Sequence, residues 1–402
     1  MPSAPEAMRR RRFGAVGAAV IAGLALASAP ASASTHDTVR VGDVLSDVSS
    51  SGTIDHAAAL VSEMTTAEQA ASIVMGHIPT TDAAALHAYM QQGIGGFILM
   101  GANIPATDDE LRALTAALTV DPALPPLVAI DQEGGIVSRL GSDVFPASTG
   151  LKSQPVADAE AAFSARAALV AKAGITVNFG TVADITADST SFIYDRALGT
   201  DPQTAAERVV AATKAQEQVV ASTLKHFPGH GAAPGDSHQA IPTTGETLDE
   251  WRATDAVPFV AGVDAGASLL MFGHLAYTSV DPVPASLSAR WHEIAREELG
   301  FDGVIVTDDL GMLQSSGIPE YSDPVRNAVS AVVAGTDLVL MIAGSTPDTA
   351  GQIVQGLTAA VDAGSLPADR LAEAATRVMS LRLQSMSATT DWALCPECEP
   401  AG

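Results

Sequence analysis

Cysteine is almost absent from this chain of 402 residues: Cys395 and Cys398, spaced as CPEC in the tail, are the only two. A redox CxxC opens a helix after a strand, and a structural zinc site needs two more close ligands, so neither chemistry is expected of them. A local disulfide and two free thiols remain equal alternatives. Basic residues are also scarce, 21 Lys and Arg against 46 Asp and Glu, for a formal charge of −25. Such a surface repels phosphate backbones, which argues against nucleic acid as a partner. Long apolar runs are missing too. The run over residues 15–27 is shorter than the about 20 residues a membrane-spanning helix needs, so no stable membrane span is expected.

That short run has informative flanks. Arg9, Arg10, Arg11 and Arg12 precede it and Ala31-Ser32-Ala33 follow, the order of charge, apolar core and small-residue cleavage site found in export signals. Arg10-Arg11-Arg12-Phe13 fits a twin-arginine signal, and a Sec signal fits as well. Residues 1–33 are therefore expected to be removed from a secreted or extracytoplasmic protein, leaving 17 basic against 45 acidic residues, a charge of −28. A polar, Ser/Thr-rich stretch over 34–53 reads as a linker, residues 54–388 as one domain, and 389–402 as a tail.

Within 54–388, short apolar runs alternate with longer amphipathic ones, the rhythm of βα units around a parallel sheet. Strands are expected at 71–75, 96–100, 127–130, 175–179, 219–224, 268–272, 303–306 and 337–342. Helices are expected at 109–118, 157–173, 202–218, 288–299, 324–334, 349–363 and 367–386. Eight strands are what a closed (β/α)8 TIM barrel requires, and no composition break marks a second domain. A doubly wound open sheet competes, but it would gather function at one switch point. Here polar residues stand just past successive strands: Asp131, Asp184, Lys225 with His226, His274, and Asp308 with Asp309. A barrel brings such positions to one mouth.

The densest segment is KHFPGHG over 225–231, followed four residues later by DSH over 236–238. Its prolines and glycines enforce a loop. Asp236 and His238, two apart, can pair, which fixes the imidazole tautomer and equips its other nitrogen for proton transfer near neutral pH. Asp308, in VTDDLGM, suits nucleophilic attack, while Asp309 reads as the N-cap of the next helix. His230, between two glycines, is expected to shape the loop by hydrogen bonding. His274 and Asp184 read equally as catalytic or as rim residues satisfying backbone groups.

In order along the chain these segments resemble glycoside hydrolase family three, in its β-N-acetylhexosaminidase branch that trims peptidoglycan-derived sugars. The resemblance covers about residues 60–385: DQEGG at 131–135, GITVNFGTVADI at 174–185, DRALG at 195–199, KHFPGHG-x4-DSH, MFGHLAY at 271–277 and ELGFDGVIVTDDLGM at 298–312. KHFPGHG-x4-DSH separates this branch from the β-glucosidase relatives, which take their acid/base from another domain. The resemblance implies Asp308 as nucleophile, His238 as acid/base and Asp236 as its partner, with Asp131, Arg139, Arg196, Lys225 and His226 at sugar-binding positions. It implies no metal and no organic cofactor, and a small oligosaccharide or muropeptide as substrate. One departure is Ile136, where the family often has Arg. Aromatic residues make up 4% of the chain, thin for the stacking platforms of a long polysaccharide cleft, so exo action on short glycans is expected. Two rival readings remain: a metal-dependent barrel hydrolase built on His226, His230 and His238, and a non-catalytic sugar-binding protein.

Overall fold

The structure is a computed structural model that describes the backbone of residues 41–393 and the side chains of residues 52–386. The expected export signal over 1–33, Cys395, Cys398 and most of the tail lie outside the described residues. The chain separates into two compact units, residues 1–46 and 47–402. Of the first, only the opening turn of the helix Val41–Ser62 is described.

Ten strands follow in the second unit: β1 (Val74–Gly76), β2 (Gly96–Leu99), β3 (Leu127–Ile130), β4 (Val177–Val182), β5 (Ala221–Phe227), β6 (Thr243–Thr244), β7 (Leu269–Phe272), β8 (Ala276–Tyr277), β9 (Val304–Thr307) and β10 (Val339–Leu340). Eight of them form one sheet in the order β10-β1-β2-β3-β4-β5-β7-β9. Every pairing is parallel, and a parallel bridge from Val306 to Leu338 brings the two edges together into a nearly closed (β/α)8 barrel. All residues of these eight strands are buried. That is the physical reason their sequences read as continuous apolar runs: one face packs into the barrel and the other against the helices.

The eight expected strands are all present, with shifted ends. The first starts at Val74 because the helix Thr66–Ser72, opened by a Thr65/Glu68 capping box, occupies the residues before it. The fifth runs on to Phe227, so Lys225 and His226 lie inside β5 and not past its end, as the sequence suggested. A charged residue is tolerated there because two carboxylates from the segment after β3, Asp131 and Glu133, meet it. The helix Val41–Ser62 also begins within the stretch read as linker.

Two glycines fix the connection after β5. A Cβ on Gly231 would sit 1.7 Å from the Ile185 carbonyl oxygen, so only glycine lets this loop press against the end of β4. Gly229 adopts a φ of +138°, with Tyr277 Oη donating to its carbonyl (2.8 Å) and Trp251 Nε1 to that of Pro228 (2.8 Å). The small β6–β8 pair joins the far end of this loop to the connection after β7.

Candidate active site

The floor of the barrel mouth is a chain of alternating charges that links the segments after β3 and β4 to β5. Lys225, 2% exposed, donates from Nζ to Asp131 Oδ1 at 2.8 Å and pairs with Glu133 Oε1 at 2.6 Å. Arg196 grips the same Glu133 with both arms, Nε to Oε2 at 2.9 Å and Nη2 to Oε1 at 2.7 Å. Arg139 Nη2 closes the other end, 3.6 Å from Asp131 Oδ2, while its Nε has no hydrogen-bond partner. Burial works to raise the Glu133 carboxyl, but Lys225 and Arg196 overrule it and bring it down to about 2. Burial likewise opposes the charge on Lys225 and Arg196, and both are nevertheless held above their usual values by these carboxylates. Each buried charge thus has an opposite partner, without which it would be strongly destabilising.

Behind the floor, Asp184 organises the start of the loop. Its Oδ1 accepts the backbone N–H of His226 (3.1 Å) and His230 (2.6 Å), and its Oδ2 meets His226 Nδ1 at 2.6 Å. His226 Nε2 lies 3.2 Å from Arg196 Nη2. A guanidinium has no acceptor, so Nε2 accepts and Nδ1 carries the proton given to Asp184. Burial acts to raise Asp184, and these contacts hold it below its usual value. Asp184 therefore satisfies backbone groups and orients His226. His230 departs from expectation. Its backbone N–H is bonded, but neither ring nitrogen has a partner, and burial pushes the ring down to about 4.

At the end of β9 the two adjacent carboxyls divide their tasks. Asp309 accepts from the N–H of Gly311 (2.9 Å), Ile342 (2.7 Å) and Ala343 (2.8 Å), which caps the helix Leu310–Ser315 and ties it to the segment after β10. Burial, with Asp308 beside it, raises Asp309 to about 6 against those hydrogen bonds. Asp308 is half-buried and, among the described residues, accepts one hydrogen bond, from the N–H of Asp309 at 2.8 Å. Burial acts to raise it, yet His226, His274, that N–H and Lys225 together hold it below its usual value. His274 Nε2 faces the Asp309 carbonyl at 2.8 Å and must donate to it, so Nδ1 accepts from the Ser286 hydroxyl at 2.7 Å. His274 thereby braces the turn behind Asp308.

The dyad lies in the loop after β5. His238 Nδ1 is 2.7 Å from Asp236 Oδ1, which also accepts the His238 backbone N–H at 3.0 Å. These bonds outweigh burial and lower the Asp236 carboxyl. The His238 side chain is 62% exposed. Among the described residues no hydrogen bond joins it to Asp308.

Asp131, Arg139, Lys225, Arg196 and His226 thus meet in one network, next to Asp308. Among the described residues, the ring of Phe192 stands between the dyad and that network, facing both His238 and Arg196. Sequence reasoning missed Phe192 and also Glu133, the centre of the charge chain, although its place in DQEGG beside Asp131 was a usable signal. Ile136 is 70% exposed on the turn after β3, so the family departure falls on the rim and not on the floor. Among the described residues no group of three or more His, Cys, Asp or Glu side chains is arranged to hold a metal ion, and no helix is long and apolar enough to cross a membrane.

Residues 65–381 match the family described as the glycosyl hydrolase family 3 N terminal domain. A β-hexosaminidase of Pseudomonas aeruginosa is 39% identical over 256 residues, which cover 62% of this chain and 75% of that protein. One of Stenotrophomonas maltophilia is 35% identical over 277 residues, 65% of this chain and 80% of that one. Among solved structures, a family 3 β-N-acetylglucosaminidase from a Paenibacillus species superposes with a TM-score of 0.75 at 28% identity, covering 84% of this chain but 65% of that longer one. A β-N-acetylhexosaminidase from Beutenbergia cavernae superposes with a TM-score of 0.71 at 28% identity, covering 80% of this chain and 99% of that one. With the barrel, the buried charge chain and the match over 65–381 in agreement, the chain belongs to family 3 of the glycosyl hydrolases.

Proposed function

We propose that this glycoside hydrolase is an exo-acting, retaining β-N-acetylhexosaminidase that removes terminal β-linked N-acetylglucosamine from short glycans such as peptidoglycan or chitin fragments, outside the cytoplasm. The observation that carries the assignment of roles is the division of labour at β9. Asp309 spends its carboxylate on three backbone N–H groups, whereas Asp308 accepts one and remains an acceptor at the barrel mouth. The relatives named β-hexosaminidase and β-N-acetylglucosaminidase supply the sugar class.

Asp131, Arg139, Lys225 and Arg196 hold the terminal sugar through their remaining donors and acceptors, and His226, whose two ring nitrogens are taken up by Asp184 and Arg196, lines the sugar site and fixes Arg196. Asp308, kept ionised by its neighbours, attacks the anomeric carbon while His238, oriented by Asp236, protonates the leaving oxygen. The neutral His238 then takes a proton from water, which attacks the glycosyl ester and frees Asp308. Two inversions give overall retention.

Turnover of nitrophenyl β-glycosides of N-acetylglucosamine, N-acetylgalactosamine and glucose, with the first product anomer read by NMR, tests this reading. The two N-acetylhexosaminides should be cleaved with retention, and a chelator should leave the rate unchanged. An inverted first product, or activity that chelation abolishes, would overturn the mechanism and favour the metal-dependent alternative.

A further inference from the structure

Phe192 lies between β4 and the helix Pro202–Glu217, outside the loop that carries the dyad, yet its ring touches three residues of the site. It meets the His230 ring at 4.6 Å between centroids and the His238 ring at 6.5 Å, both edge to face, and the Arg196 guanidinium sits 5.9 Å from its centroid. The two histidines flank the loop: His230 is buried at its root and His238 is 62% exposed toward its far end. Among the described residues, the hydrogen bonds of His238 go to Asp236, a member of the same loop. Phe192 is, among those residues, the ring that meets this imidazole from outside the loop. His230 engages Phe192 as a neutral ring, because burial disfavours its charged form and neither nitrogen is bonded.

We propose that Phe192 is the positioning residue of the acid/base: its ring seats the loop through His230 and sets the His238 imidazole against the Arg196 side of the pocket. This rests on His238 being the acid/base. A ring edge supplies the geometry without charge or hydrogen bonds, so it leaves His238 Nε2 free for the proton. Misplacing a proton donor by about 1 Å costs on the order of 100-fold. That loss should fall only on substrates that need the proton.

The test compares kcat/KM, which reports the first chemical step, for two aryl β-glycosides of N-acetylglucosamine. The dinitrophenyl glycoside leaves without protonation and the methylphenyl glycoside requires it. For Phe192→Ala we expect a loss of about 100-fold on the methylphenyl substrate and less than about 3-fold on the dinitrophenyl one, with unchanged thermal unfolding. Phe192→Leu, which keeps apolar volume without a ring edge, should show the same asymmetry to a smaller degree, and Phe192→Tyr should stay near the parent. Equal losses on both substrates, or none, would overturn the proposal. His238→Ala, measured alongside, separates the two levels. If it discriminates between the substrates while Phe192→Ala does not, the positioning role alone falls; if it does not discriminate, the acid/base assignment falls and the proposal with it.

Discussion

Lys225 and His238 lie on one connection of the barrel and are held by opposite means. Lys225 is 2% exposed inside β5 and meets two carboxylates, whereas His238 is 62% exposed in the loop beyond and meets one. The floor therefore resembles a preorganised site: its charges are paired with one another, those of Lys225, Glu133 and Arg196 are largely desolvated, and Lys225 is fixed within a strand before any sugar arrives. The loop's backbone is anchored at its root by Asp184, Trp251 and Tyr277 and at its far end by the β6–β8 pair, but the His238 side chain between them is held by one carboxylate and flanked by Phe192. On the roles proposed above, the difference puts recognition and proton transfer on separate supports, so each should be open to damage without the other.

The sharpest cut falls beside the floor. Asp308→Ala is expected to lower turnover by several powers of ten while the barrel stays folded, because the side chain holds only the N–H of its own neighbour. Asp309→Ala should do the reverse, costing stability by stripping three backbone N–H groups of their acceptor while kcat falls far less. Kinetics and thermal melts of both variants check the pair. A near-normal rate for Asp308→Ala with a dead Asp309→Ala would exchange their roles.

Next comes the contrast itself. Glu133→Gln leaves Lys225 and Arg196 sharing a neutral partner in a buried setting, and breaking such a pair costs about 3–5 kcal/mol. Asp236→Asn breaks an ion pair that is largely exposed, worth about 0–1 kcal/mol. Denaturant unfolding should therefore separate the two variants widely. Steady-state kinetics should show KM rising for Glu133→Gln and kcat falling for Asp236→Asn. Equal stability losses would mean that floor and loop are not supported differently.

The same contrast explains what the sequence made legible. The eight barrel strands stood out because burial on both faces removes polar residues from them, and Asp131, Asp308 and His274 stood out because they follow such runs directly. Strand β5 was cut short at its first charged residue, since a pattern of apolar runs does not anticipate Lys225 neutralised by carboxylates from another strand end. Glu133 was passed over for the complementary reason: its partners come from β5 and from Arg196, far along the chain. The helices Thr66–Ser72 and Leu248–Ala253 are too short for a period to show, although each opens with a Thr-x-x-Glu capping box that marked its start. The DSH pairing was readable because two residues apart is a local matter, whereas Phe192 carries no polar signal at all.

A smaller effect comes from behind the loop. Asp255 is buried against Gly229, where an added Cβ would lie 2.7 Å from its Oδ1, and that oxygen has no hydrogen-bond partner. Burial, with the charges of Glu246 and Asp184, pushes its carboxyl up to about 8 against the Thr254 hydroxyl. The unfolded chain releases this proton near pH 3.9. The native state keeps a proton that the unfolded state loses, so the stabilising contribution is complete below about pH 4 and is lost as pH rises through about 8. Asp255→Asn preserves the shape without the ionisation. Its melting temperature should exceed that of the parent at about pH 9 and converge with it toward about pH 4; parallel curves would place the carboxyl in a less hostile setting.

The smallest expected effect sharpens the comparison at the loop. A carboxylate acting as base in the second step would repel an incoming anion; on the proposed mechanism His238, neutral once it has given up its proton, would not. Two unit charges 4 Å apart differ by about 4 kcal/mol at an effective dielectric of 20, enough to decide whether phosphate competes with water for the glycosyl-Asp308 ester. The exposure of the dyad favours access by a small anion, while water remains in vast excess, so sugar 1-phosphate is expected only as a minor product in millimolar phosphate. His238→Glu restores the repulsion at the same place in the loop and leaves the floor untouched. Its product mixture should lose sugar 1-phosphate more completely than it loses free sugar. No sugar 1-phosphate from the parent, or an undiminished share from His238→Glu, would show that the charge of the base does not select the acceptor, and would shift that selection to the fixed charges of the floor.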